Sequence, residues 1–140
     1  MPNLPRASVE LTVPFYDVDS MDVVWHGHYV KYLERARCAL LDSIDYGYRE
    51  MKANGHAWPV IKLAVRYARP AYFGQVLLVE ARMVEWEYRL VIEYDIGARD
   101  GDEKLSRAST TQIAVELASG ETCLASPDIL ERRLRACGHL

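Results

Sequence analysis

Residues 15–37 read FYDVDSMDVVWHGHYVKYLERAR, and the other elements are most easily placed relative to them. The stretch opens as the end of a strand and passes a turn with three carboxylates, Asp17, Asp19 and Asp22. It then reaches Trp25-His26-Gly27-His28 and runs into the strongest helical pattern in the chain. Tyr29, Leu33, Ala36, Leu40 and Ile44 recur at three- and four-residue spacing, which predicts a helix from about 28 to 44 with one buried stripe. Val30, Ala39 and Leu41 widen the stripe, so the helix is expected to be wrapped by sheet rather than to lie on a surface. The amides at a helix start have no intrahelical acceptor and sit at the positive end of the helix dipole. They can hold charge that develops on a carbonyl oxygen. A carboxylate a few residues upstream can face that carbonyl as nucleophile or general base.

Outward from this stretch, Val9, Leu11 and Val13 alternate with Glu10 and Thr12, which predicts a strand with one buried face. Pro14 ends it or places it at an edge, and residues 1–7 are expected to form a loose tail. On the other side, Gly47 is expected to follow the helix as its C′ residue. Residues 48–53 suggest a short second helix closed by Asn54-Gly55. The remainder is strand-rich: 58–69, 76–87, 89–99 and 105–117, then a short strand at 121–125. Pro70 and Gly74 flank one turn, Glu87-Tyr88 makes a tight connection, and Asp100-Gly101 gives a hairpin signal. Ser126 is expected to cap a C-terminal helix within 126–137, with Pro127 at its first position. One long helix and a series of antiparallel strands, with no second βαβ crossover, predict an α+β domain over residues 1–140. Its exposed strand edges favour oligomerisation.

Half of the 140 residues are hydrophobic and 26% are charged, as in ordinary globular proteins. No run of about 18 apolar residues is present, so no membrane span is expected. Residues 1–10 contain no apolar core of a signal peptide. Cys38, Cys123 and Cys137 are odd in number and lack metal-binding spacing. They read as reduced thiols of a cytoplasmic protein. The net charge of −3 offers no general attraction to nucleic acid, and an anionic ligand would need a local basic patch.

The pattern Phe15, Asp17-Val18-Asp19, Val23-Val24-Trp25-His26, Tyr29, Tyr32 and Glu34-Arg35-Ala36-Arg37 resembles the hotdog-fold thioesterases of the 4-hydroxybenzoyl-CoA thioesterase and YbgC-like branch. Residues 67–74, YARPAYFG, resemble the family's second-strand ending, and the resemblance covers roughly residues 8–130. It implies an antiparallel sheet of five to six strands wrapped around one long helix, with homodimers or homotetramers. It also implies hydrolysis of an acyl-CoA or acyl carrier protein thioester at a dimer interface, without a cofactor; coenzyme A is part of the substrate. Asp19 matches the family's catalytic aspartate, acting from the facing subunit region. His26 matches the histidine at the helix entrance, whose N–H polarises the thioester carbonyl. Two departures from the pattern stand out. Asp22 occupies a position usually held by glycine, where it either raises the pKa of Asp19 by like-charge repulsion or simply faces solvent. Gly27-His28 replaces small or amide residues, which loosens the expected helix start.

Trp25, Gly27, His28 and Tyr29 are the expected substrate-binding residues at the helix entrance. Arg69 and Arg89 are the expected partners of the coenzyme A phosphates, and Arg66, Lys62 and Lys104 are weaker candidates. Each of these residues also has a plain reading. Asp19 suits a turn, His26 suits a structural role, and each cation suits a solvated surface. Asp17 reads as a turn residue or hydrogen-bond acceptor, and Glu34 with Arg37 as a structural ion pair three residues apart. His26-Gly27-His28 invites a metal, but no third ligand is fixed by spacing and none is expected. A hotdog dehydratase and a non-catalytic acyl-CoA binder are the alternative functions.

Overall fold

The computed structural model describes residues 3–140. Strand β1 (Arg6–Thr12) leads through a 3-10 turn at Phe15–Asp17 and another at His26–His28 into α1 (Tyr29–Ser43). Then follow α2 (Tyr48–Ala53), β2 (His56–Ala57), β3 (Val60–Tyr67), β4 (Val76–Glu85), β5 (Leu90–Ala98), β6 (Lys104–Gln112), β7 (Val115–Glu116) and α3 (Asp128–Ala136). Five strands form one sheet in the order β1-β4-β5-β6-β3, with every neighbouring pair antiparallel. A separate two-stranded ribbon joins β2 to β7.

The expected stripe of α1 is the core-facing stripe. Tyr29, Leu33, Ala36, Leu40, Leu41 and Ile44 are all buried. They meet the inward residues of the sheet, such as Leu77, Val79 and Ala81 of β4 and Ile92, Tyr94 and Ile96 of β5, whose alternation places every second side chain inside. The sheet curls over the helix because one apolar face must be covered by another.

Several boundaries differ from the sequence reading. The strand expected at 9–13 begins at Arg6, and the Met83 amide donates to Pro5 O at 2.9 Å. Residues 6–7 of the expected tail are therefore part of the sheet, and Pro5 is tied to its end, because β4 is long enough to pair beyond the apolar positions; residues 1–2 lie outside those described. Gly47 is not the C′ residue of α1. Asp45 takes that place with φ 55°, while Gly47, at φ −69°, precedes α2 as its N-cap. The amide of Asp45 donates to Asp42 O and that of Tyr46 to Leu41 O, and the buried Leu41 and Tyr46 complete a Schellman arrangement. The expected strand 105–117 is broken after Gln112: the chain leaves the sheet so that Val115 and Glu116 can pair with His56 and Ala57. The expected strand at 121–125 is reduced to a single bridge between Val115 and Thr122. Ser126 does not cap α3. Pro127 precedes that helix, and the Ser126 hydroxyl instead donates to Trp86 O.

Candidate active site

The acidic turn is a small hairpin closed on itself. Val18 bridges Val24, and the Asp19 amide donates to Val23 O at 2.9 Å. Asp19 Oδ1 accepts the amides of Met21 at 2.8 Å and Val23 at 3.3 Å, while Oδ2 takes neither. Asp19 is therefore a turn residue, as its plain reading holds, and also an exposed carboxylate with one oxygen outside the turn. Asp22 follows with φ 60°, a backbone region that favours glycine and that aspartate tolerates better than most residues. Its side chain is exposed. The hairpin is held against the segment after β3: Val24 N donates to Ala71 O and Phe73 N to Asp22 O.

Asp17 lies behind this surface, 2% exposed. Its carboxylate accepts Lys31 Nζ at 2.6 Å and Tyr32 OH at 2.7 Å, and His28 Nδ1 lies 3.8 Å away. Its carbonyl accepts the Trp25 amide at 3.0 Å. Burial alone pushes the Asp17 carboxyl up. The hydrogen bonds from Lys31 and Tyr32 and the charges of Lys31 and His28 more than offset this and hold it below the usual carboxylate range. Asp17 is thus the acceptor expected from the sequence, and it fixes the first turns of α1 to the acidic turn.

The helix entrance is the 3-10 turn His26–His28. The Trp25 amide is used by Asp17 and the His28 amide by Trp25 O at 2.9 Å. Those of His26 and Gly27 open the turn and have no intrahelical acceptor. Gly27 leaves room here for the indole of Trp25. A Cβ would overlap the six-membered ring of Trp25, which covers that residue.

Asp19, Trp25, His26, Tyr29 and Arg69 line one cleft of about 370 Å³, and all five belong to the same chain. Trp25 is 50% exposed there. Tyr29 is buried, and its hydroxyl accepts the Ala71 amide at 3.2 Å. Gly27 and His28 are not among the lining residues: Gly27 lies under Trp25, and His28 turns away toward Asp17. The two histidines therefore diverge, and among the described residues no group of three or more His, Cys, Asp or Glu is placed to share a metal ion. Arg69 pairs with Glu103 at 3.3 Å. Arg89 is outside the cleft, on the β4–β5 connection, paired with Glu85 at 3.1 Å. Glu34 and Arg37 form the expected ion pair. Arg37 is also buried and donates to Tyr48 and Tyr94.

Sequence reasoning did not single out Tyr67 for the site. It lines the cleft, donates its hydroxyl to His26 O at 2.7 Å, and packs edge-to-face on Tyr29 with centroids 5.0 Å apart. The bond spans 41 residues, so no local spacing signals it.

One long helix packed against an antiparallel sheet, with a cleft at the helix entrance, is the arrangement of the hotdog-fold thioester hydrolases. A model of the thioesterase-like superfamily matches residues 13–132, and the chain belongs to that family. A Synechocystis protein provisionally named an esterase is 30% identical over 120 residues, 85% of this chain and 72% of its own length. YneP of Bacillus subtilis, provisionally named an acyl-CoA thioesterase, is 25% identical over 111 residues, 79% of this chain and 80% of its own. Among solved structures, a 1,4-dihydroxy-2-naphthoyl-CoA thioesterase from Synechocystis superposes with a TM-score of 0.82 over 93% of this chain and 96% of its own; at 20% identity this shows the fold alone. No helix among the described residues is long and apolar enough to cross a membrane.

Proposed function

We propose that this chain hydrolyses an acyl-CoA thioester to the free acid and coenzyme A, with no cofactor beyond the coenzyme A of its substrate. The reading rests on one observation: the Asp19 carboxylate and the helix entrance at His26 line the same cleft. The unpaired amide of His26, at the start of the helix entrance, receives the thioester oxygen as negative charge builds on it. Donors already in place of this kind typically lower such barriers by about 3–4 kcal/mol. Asp19 attacks the carbonyl or activates water for that attack, and the thiolate leaves as coenzyme A. Trp25 and Tyr29 border the acyl group. Arg69 is the cation in the cleft for the phosphates. Arg89 meets a phosphate only of a nucleotide that extends beyond the cleft or is bound by another copy. The three cysteines unpaired in the structure suit a cytoplasmic setting.

A homodimer accounts for the edge strand β3. Ile61 is 57% exposed and Leu63 43%, an apolar edge that a monomer would leave open to any other strand. Pairing β3 antiparallel with its copy about the strand centre sets the start of one strand beside the Tyr67 end of the other. The partner would then bring an apolar cavity of about 480 Å³, lined by Tyr48, Met51, Trp58 and Leu117, toward the cleft. Such a cavity suits an acyl group, and a tetramer of two such dimers is compatible with it.

The test is thiol release from short, long and aromatic acyl-CoAs and an acyl carrier protein thioester, with wild type and Asp19→Asn in parallel. Hydrolysis by wild type and a loss of at least about a hundredfold in the variant is expected, the scale of a catalytic group. Full activity of Asp19→Asn would remove that residue from the mechanism. An enoyl thioester as product, or saturable binding without thiol release, would replace hydrolysis by dehydration or by simple binding.

A further inference from the structure

We infer that Asp17 is a positioning residue, which fixes the His26 amide relative to the Asp19 carboxylate. The inference rests on the mechanism proposed above, in which those two groups meet the thioester. The His26 N–H shares a planar trans peptide with Trp25 C=O, and the two point in opposite directions. Trp25 O is turned into the helix entrance, where it accepts the His28 amide at 2.9 Å. The His26 N–H is thereby turned out of the entrance, at a residue that lines the cleft, and has no intrahelical acceptor. Whatever holds Trp25 and His28 in place also sets the direction of this donor.

Asp17 reaches both residues. Its carbonyl accepts the Trp25 amide at 3.0 Å. Its carboxylate lies 3.8 Å from His28 Nδ1 and accepts Lys31 Nζ at 2.6 Å and Tyr32 OH at 2.7 Å, in the first turn of α1. Asp19 stands two residues further on, in a hairpin that closes without help from that carboxylate. Val18 bridges Val24, the Asp19 amide donates to Val23 O, and Asp19 Oδ1 accepts the amides of Met21 and Val23. The Asp19 carboxylate thus belongs to the hairpin and the His26 amide to the helix entrance, and the Asp17 side chain ties one to the other. Asp17 is 2% exposed and does not line the cleft, so it acts through its neighbours and not on the substrate. A misplacement of about 1 Å in such a site typically costs about a hundredfold in rate.

Asp17→Asn keeps the shape of the side chain and removes its charge and one acceptor oxygen. Tyr32→Phe keeps the ring and removes one of the two short hydrogen bonds. Leu40→Ala is a core truncation on the same helix that costs at least as much stability and lies away from the entrance. Steady-state hydrolysis of the best acyl-CoA is measured for these three, wild type and Asp19→Asn, well below each thermal midpoint. The kcat of Asp17→Asn is expected to fall about ten- to a hundredfold, and that of Tyr32→Phe about three- to tenfold. KM should stay within about twofold in both, since ground-state binding is untouched. Leu40→Ala should keep the wild-type kcat. An equal fall in Leu40→Ala would reduce Asp17 to a stability residue and overturn the inference. A raised KM with unchanged kcat would overturn it too. Should Asp17→Asn fail to fold, Tyr32→Phe decides alone, and a wild-type kcat there overturns the inference. Loss of turnover in Asp19→Asn beside wild-type kcat in the Asp17 and Tyr32 variants would overturn this inference and leave the mechanism standing. Full turnover in Asp19→Asn would overturn the mechanism and the inference with it.

Discussion

Asp17 shows how a single side chain links the site to stability. It is buried, and its carboxyl is held below its ordinary value of 3.8 once Lys31, Tyr32 and His28 have outweighed the effect of burial. A carboxyl lowered in the folded state contributes stability that is fully present above its unfolded pKa. That stability is lost as pH falls through the folded value. Asp17→Asn should therefore lose about 2 kcal/mol at neutral pH, the scale of a buried charge-assisted hydrogen bond. Its stability should also fall less than that of wild type as the pH drops below about 4, where the carboxyl protonates in the unfolded chain while the native one is still held ionised. Urea unfolding at pH 7 and pH 3 checks both; equal pH dependence in the two proteins would contradict the ionised, paired state. Asp19, two residues away, is exposed. One residue of this Asp-x-Asp pair anchors the turn and the other presents a carboxylate to the cleft.

At the scale of elements, α1 carries the core. Leu40 is fully buried on the stripe that faces the sheet. Leu40→Ala should cost about 3 kcal/mol, the lost transfer energy plus the cavity that close packing cannot refill. Chemical denaturation at neutral pH measures it, and a cost below about 1 kcal/mol would mean that the helix is not enclosed as described. The stripe was legible because burial repeats with the helical period. The buried Arg37 on the same helix was legible only as half of an ion pair with Glu34. Its further partners, Tyr48 and Tyr94, come from α2 and β5 and have no fixed spacing from it. The end of α1 shows the same limit. Glycine is the usual left-handed residue, but here Asp45 takes that conformation because the buried Leu41 and Tyr46 set where the helix must stop.

At the scale of the whole molecule, β3 is an apolar edge, and its cover is expected to be a second copy. Ile61→Glu with Leu63→Glu should shift sedimentation from dimer or larger to monomer, because two charged side chains would replace the exposed apolar residues that the second copy covers. The same variant should lose hydrolysis if the partner completes the acyl pocket. A wild type that sediments as a monomer would contradict the assembly. The sequence by itself determined the long buried helix, the antiparallel strands and the membership of the Asp19 turn and the His26 entrance in one local stretch. These are readable because helical and strand periods are local and because residues 19 and 26 are near neighbours in the chain. Only the tertiary structure decided that Arg69 joins the cleft while Arg89 does not, that His28 turns to Asp17, and that Tyr67 reaches His26. Those outcomes depend on which strand ends meet the helix entrance, and sheet pairing across some forty residues sets that geometry with no trace in the local pattern.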